Sequence, residues 1–341
     1  MRNLKVLGVL AVLLAIATLA SAQGQVLLNA AGATFPYPMY SKWFDVYRQA
    51  HSNIQINYQS IGSGGGIRQL IDKTVDFGAS DGPMNDDQLK QATIPILHFP
   101  TVLGADVPSY NLPGVTAELN FTPEALGGIF LGKITKWNDP AITSANPGVK
   151  LPADDIVVVH RSDGSGTTYI WTDYLSKVSP EWQKKVGKAT SVNWPVGLGG
   201  KGNEGVAGLV QQTPGALGYI ELIYAVQNKI AYGRVKNSAG EFVKADLASV
   251  SAAAAAIAGT MPDDFRVSIT NPPANKAAYP ISSFTWLLIP AKFSDTRKRD
   301  AVKGFLTWMM TDGQQYCQAL SYAKLPKEVV AKEIKAVAKI Q

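Results

Sequence analysis

Three short polar turns carry residue types from which an anion site is built: Ala33-Thr34-Phe35-Pro36, Ile61-Gly62-Ser63-Gly64-Gly65-Gly66 and Arg161-Ser162-Asp163-Gly164-Ser165-Gly166-Thr167. Each runs straight into a helix-like apolar pattern. A helix start presents unpaired main-chain N–H groups and the positive end of the helix dipole, so three converging starts would cage an anion. Thr34, Ser63, Ser165 and Thr167 would add hydroxyls, and Phe35 and Gly166 main-chain donors. Arg161 stands four residues before Ser165 and supplies a guanidinium able to grip two oxygens of a tetrahedral oxyanion. Taken singly, each piece has a local explanation. Thr34 suits a helix N-cap ahead of Pro36, glycines suit a tight turn, and Arg161 with Asp163 suits a local salt bridge. For the last pair both readings are expected to hold, with Asp163 keeping Arg161 in place.

Between the second and third turns lies Asp76-Phe77-Gly78-Ala79-Ser80-Asp81, a strand-like run ending in a carboxylate. A carboxylate facing a fully ionised anion in a dry site costs several kcal/mol of like-charge repulsion. If the anion keeps a proton, the same carboxylate accepts a hydrogen bond instead. Phosphate is partly protonated near neutral pH, its second pKa being roughly 6–7, close to that of phosphoserine. Sulfate is not. Asp81 in the cage would therefore favour phosphate over sulfate. The local alternative makes Asp81 a helix N-cap ahead of Asp86 and Asp87.

The elements that must position these turns alternate between strand and helix patterns, which argues for α/β layers around mainly parallel sheets. Tyr37, Tyr40, Trp43, Phe44 and Tyr47 recur at helical spacing and predict an aromatic buried face. Ile54 to Tyr58, Val75 to Ala79, Ile156 to Val159 and Leu217 to Ile220 read as strands. Gly197 to Gly205 reads as a flexible glycine-rich connection, and Ala252 to Ala256 as a helix-prone alanine run. The C-terminal segment carries a helix with Phe305, Trp308 and Met309, then a packed tail helix with Val330, Ile334 and Val337. Two long strand-like stretches, Phe99 to Asn111 and Tyr279 to Ile289, read as crossings between two lobes. The expected division is a signal peptide at 1–22, a first lobe from 23–104 and 280–341, and a second lobe from 105–279.

Composition narrows the function classes. Arg2 and Lys5, the apolar run from Val6 to Thr18 and Ala20-Ser21-Ala22 form a secretory leader with a cleavage site. No cysteine stands directly after the apolar run, so a soluble periplasmic protein without a lipid anchor is expected. Loss of Arg2 and Lys5 lowers the formal charge of +6 by two units. The remaining charges are scattered, which argues against a nucleic-acid partner. The single cysteine, Cys317, reads as a buried thiol and excludes an intrachain disulfide.

The chain resembles the periplasmic phosphate-binding proteins of high-affinity phosphate ABC transporters. The resemblance rests on Gly32-Ala33-Thr34-Phe35-Pro36, Gly62-Ser63-Gly64-Gly65-Gly66, Val75 to Asp81 and Arg161 to Thr167, in that order, extended by Gly132 to Trp137 and Trp194 to Gly202. It implies a two-lobed periplasmic-binding-protein architecture of type II-like form, with a ligand cleft between the lobes. It implies phosphate ligands at Thr34, Phe35, Ser63 and Asp81 from the first lobe, and at Arg161, Ser165, Gly166 and Thr167 from the second, with Asp163 in support. It implies no catalytic residue, metal or cofactor. The implied partners are inorganic phosphate and an inner-membrane ABC permease, and a monomer is expected.

Two other classes compete. A phosphate-ester hydrolase would use Ser165 as nucleophile and Asp81 as base. The chain has three histidines, His51, His98 and His160, none in a ligand-like pair, and no Ser-His-acid arrangement emerges. His160 beside Arg161 reads as a strand-end residue. A binder of another oxyanion, such as sulfate or molybdate, would use the same turns, and Asp81 is what separates it from a phosphate binder.

Overall fold

The computed structural model describes residues 24–341. The expected leader at 1–22 lies outside the described residues. Among those described, no helix is long and apolar enough to cross a membrane.

The fold starts with β1 (Val26–Gly32), α1 (Tyr37–Ala50), β2 (Ile54–Ser60), α2 (Ser63–Ile71) and β3 (Phe77–Ser80). β1 pairs in parallel with both β2 and β3. The long strand β4 (Ile96–Tyr110) follows, then the short β5 (Asn120–Phe121). The middle of the chain adds β6 (Val157–Arg161), α3 (Gly166–Val178), β7 (Leu198–Gly200), α4 (Gly202–Gln212) and β8 (Ala216–Glu221). β6 runs parallel to β7 and to β8. After β9 (Ala231–Tyr232), β10 (Arg234–Lys236) and β11 (Phe242–Val243), the chain returns through β12 (Ser282–Pro290). It ends in α5 (Thr296–Met310) and α6 (Lys327–Val337).

Strand order is β2-β1-β3-β12-β4-β8-β6-β7, with β9 also on β4 and a separate β11-β10-β5 sheet. One strand joins the two halves. Residues of β4 up to Ala105 pair antiparallel with β12, and Asp106 to Tyr110 pair antiparallel with β8. The main sheet is thus parallel within each half and antiparallel where the long strands β4 and β12 meet their neighbours. β4, β8 and β12 are buried along nearly their whole length because helices cover both faces.

The aromatic stripe of α1 packs inward through Met39, Tyr40, Trp43 and Tyr47, and the Trp43 indole donates to the Gly313 carbonyl at 2.7 Å. Tyr37 does not join this face. It is 37% exposed and stacks on Tyr58, whereas Met39 and Tyr40 of the same turn are buried. The glycine-rich stretch expected as a flexible connection is instead ordered. Leu198–Gly200 hydrogen-bonds along β6, the Ser162 N–H donates to the Gly200 carbonyl at 3.0 Å, and α4 starts at Gly202. Glycine keeps both main-chain hydrogen-bonding groups, and here they extend the sheet. The alanine run falls in a helix, Leu247–Ala255, capped by Asp246. α6 is packed through Val329, Ala336 and Val337, and Lys332 reaches the Met261 carbonyl at 2.8 Å. Cys317 is buried, and burial pushes its thiol up to about 12.

Candidate functional site

The parallel strands deliver their polar residues to one place. Thr34 follows the C-terminal end of β1, Ser63 that of β2, Asp81 that of β3, Arg161 ends β6, and Asn203 follows β7. In open α/β sheets the crevice beyond the carboxyl ends of the strands is where ligands are held. Thr34, Phe35, Ser63, Asp81, Arg161, Ser165 and Thr167 are all at most 3% exposed.

Arg161 is locked by its neighbours. Its Nε donates to Asp163 Oδ1 at 2.8 Å and Nη2 to Asp163 Oδ2 at 2.5 Å, while Nη1 donates to Thr167 Oγ1 at 3.1 Å. A guanidinium has five N–H donors, so one remains on each terminal nitrogen. Asp163 also accepts the Gly202 N–H at 3.1 Å. Burial alone would raise its pKa, but the hydrogen bonds and charge of Arg161 hold its carboxyl below the usual range. The salt bridge and the delivery of Arg161 to the cleft are therefore the same feature.

Asp81 is not a helix cap. The helix Asp86–Gln91 is capped by Asn85, which accepts the Gln88 N–H at 2.9 Å in a reciprocal capping box. The Asp81 side chain is turned inward: Oδ1 accepts from Thr285 Oγ1 at 2.7 Å, and Oδ2 lies 3.4 Å from Ser63 Oγ. Its N–H donates to Ser63 Oγ at 3.2 Å. Burial pushes the carboxyl up to about 7, against the opposing pull of Thr285, Arg161 and Ser63. A Cβ added at Gly166 would lie 2.4 Å from Ser63 Oγ and 2.5 Å from Asp81 Oδ2, so the start of α3 abuts this carboxylate and tolerates no side chain there.

The second turn closes on the third. Gly62 has φ +90°, and a Cβ there would meet Asp163 Oδ2 at 2.3 Å. The Gly64 N–H donates to the Gly164 carbonyl at 2.9 Å. Ser165 caps α3 by accepting the Thr168 N–H at 2.9 Å, which leaves its own proton free to donate. Gly166 and Thr167, as the first helical residues, carry N–H groups without a helical acceptor.

Thr34 does not cap α1; Pro36 occupies that position without a side-chain cap. Its hydroxyl instead accepts from Asn203 Nδ2 at 2.8 Å and from Asn203 N at 3.2 Å, and Tyr224 OH donates to the Thr34 carbonyl at 2.6 Å. Asn203, Thr285 and Tyr224 are the contributions that motif reading missed. Only Asn203 had a signal, its place directly after the motif Trp194 to Gly202. His160 is turned away from the cleft, stacked on Trp194 with ring centroids 4.8 Å apart.

As a whole the arrangement is rich in donors and has one poised acceptor, Asp81, suiting it to a protonated oxyanion. Comparison with known proteins gives the family. Residues 17–313 match the model of the PBP superfamily domain. A phosphate-binding protein PstS from Xylella fastidiosa is 47% identical over 91% of this chain and 84% of its own length. One from Pasteurella multocida is 46% identical over 89% and 88%. Among solved structures, a periplasmic phosphate-binding protein of the DING type bound with phosphate superposes with TM-score 0.72 at 22% identity, over 91% of this chain and 93% of that one. A substrate-binding protein of a phosphate ABC transporter from Clostridium perfringens superposes with TM-score 0.65 at 18% identity, over 88% and 100%.

Proposed function

Because the chain belongs to the phosphate-binding proteins of the PBP superfamily, which are not enzymes, we propose that it binds inorganic phosphate between its lobes in the periplasm and hands it to an inner-membrane ABC permease. The hydroxyls of Thr34, Ser63, Ser165 and Thr167, the N–H groups of Phe35, Gly166 and Thr167, and the two free N–H groups of Arg161 donate to the anion. Asp163 holds Arg161, and Asp81 takes the remaining place as acceptor.

The observation that carries this reading is the buried Asp81 carboxylate, pressed against the start of α3 and titrating near 7. Its affinity for a proton lies close to that of dibasic phosphate, whose second pKa is roughly 6–7. The two groups can then share one proton. With monobasic phosphate the ionised carboxylate accepts; with dibasic phosphate the protonated carboxyl donates. Sulfate brings no proton and meets repulsion unless Asp81 is already protonated. Closure is driven by hydrogen bonds that need both lobes at once. The lobes are assigned to 23–104 with 280–341, and to 105–279. The switch of β4 from β12 to β8 between Ala105 and Asp106 supports the first boundary. The protein acts as a monomer.

Calorimetry with phosphate and with sulfate between pH 5.5 and 8.5 tests the reading. Phosphate is expected to bind throughout, and sulfate to gain affinity only as pH falls through about 7, where Asp81 takes up its proton. Sulfate binding as tight as phosphate at pH 8.5 would overturn it.

A further inference from the structure

Asn203 is fully buried and hydrogen-bonds to both halves of the site. Its amide orientation is set from outside the cleft, because the Glu221 main-chain N–H, which can only donate, lies 2.9 Å from Oδ1. The Nδ2 group therefore faces the hydroxyls, donating to Thr34 Oγ1 at 2.8 Å and to Thr167 Oγ1 at 3.0 Å. A hydroxyl has two acceptor lone pairs and one proton. Thr34 Oγ1 also receives the Asn203 N–H at 3.2 Å, and Thr167 Oγ1 also receives Arg161 Nη1 at 3.1 Å. Both oxygens are thus saturated as acceptors, and each has only its own proton left to offer.

We infer that Asn203 is a positioning residue that fixes Thr34 and Thr167 as obligate donors and makes the hydroxyl of one lobe answer to that of the other. It rests on the reading that an anion fills this site, and deepens it. With both threonines unable to accept, a protonated ligand oxygen finds its acceptor in Asp81. Asn203 thereby sets the direction in which the ligand is read without bonding to it. It also ties the lobes, since Thr34 follows β1 while Thr167 and Asn203 start α3 and α4.

The test is a double-mutant cycle between Asn203→Ala and Thr167→Val, read as phosphate affinity by calorimetry. Asn203→Ala alone is expected to weaken binding about 10-fold, the scale of one lost neutral hydrogen bond. In the Thr167→Val background it is expected to cost clearly less, because part of its action runs through that hydroxyl. Strictly additive losses would overturn the inference and leave Asn203 a plain packing residue. Asn203→Asp gives a second readout. It removes the Nδ2 donors, so phosphate affinity is expected to fall roughly 100-fold at pH 8. Part of that loss should return as pH falls and the new carboxyl regains a proton to donate; a loss constant with pH speaks against the inference. Wild-type protein that takes up no phosphate would instead sink the reading of the site itself, so the two failures are distinguishable.

Discussion

Asp81 and Asp106 are two carboxylates at the same depth with opposite surroundings. Asp81 is 1% exposed and Asp106 is 0% exposed. Asp81 has Thr285 and Ser63 as hydrogen-bond partners and feels the charge of Arg161. Neither oxygen of Asp106 has a partner among the described residues. Its register opposite Glu221 on β8 sets a second buried acid beside it. Burial, then the charges of Asp81 and Glu221, raise the Asp106 carboxyl well above its ordinary range, and Arg161 opposes only weakly. Burial decides that both acids resist ionisation, and local donors decide how far. The result is one acid poised near neutrality, fit to exchange a proton, and one that burial and its acidic neighbours push well above the ordinary carboxylate range.

The comparison is broken most severely by Arg161→Ala. Phosphate affinity should fall by roughly 2–5 kcal/mol, as for a buried charged pair that loses one member and strands Asp163. Asp81 should also move up towards the state of Asp106, visible as a higher pH midpoint for sulfate uptake. Unchanged affinity in calorimetry would refute the role given to Arg161.

Asp81→Asn turns the poised acid into a permanently neutral one. Sulfate affinity at pH 8 is expected to rise at least about 100-fold, reflecting repulsion of several kcal/mol removed from a dry site. A variant that still ignores sulfate at millimolar concentration would show that Asp81 does not discriminate.

Asp106→Asn acts on stability. The carboxyl of Asp106 has a folded pKa above its unfolded value of about 3.9, so the folded state binds more protons. Its contribution is therefore intact below about pH 4 and is lost as pH rises towards the folded value. The asparagine variant should gain in stability on wild type as pH rises from about 4 to 7.5, because only the wild type has a carboxyl there that must hold a proton or bury a charge. Urea melts at the two pH values measure the change. A gap that does not change with pH would mean that Asp106 is already ionised.

Thr285→Val sharpens the contrast from the other side. It removes the 2.7 Å donor to Asp81 and makes that acid more like Asp106. A loss of about 1 kcal/mol in phosphate affinity at pH 8 is expected, the usual net worth of one hydrogen bond. The onset of sulfate binding should shift to higher pH in the same titration.

Much of this was legible in the chain. Helix starts and strand ends are local, so the three polar turns, the strand leading into Asp81, the Arg161–Asp163 pair and the apolar faces of α1 and α5 could be read from spacing. On α6 only Val337 of the expected face is buried, Val330 is half-buried and Ile334 is exposed. The misreadings have a common cause. Gly197 to Gly205 looked flexible because glycine says what the backbone is able to do, and not that a neighbouring strand will use its hydrogen bonds. Thr34 looked like a helix cap because its true partner, Asn203, stands 169 residues further on. Thr285 carried no signal at all, since a threonine inside a buried strand reads as ordinary sheet composition.

From order and residue type alone, the chain determined which side chains were available: several hydroxyls, an arginine with its own carboxylate, and one acid at the end of a strand. Tertiary structure decided what they became. Thr285 meets Asp81 from 204 positions away because β12 runs antiparallel to β3, and Asn203 joins Thr34 to Thr167 because the two parallel halves of the main sheet end at one crevice. Hydrogen-bond polarity and the affinity of a buried acid for its proton depend on such distant neighbours, and these are brought together only when the sheet forms.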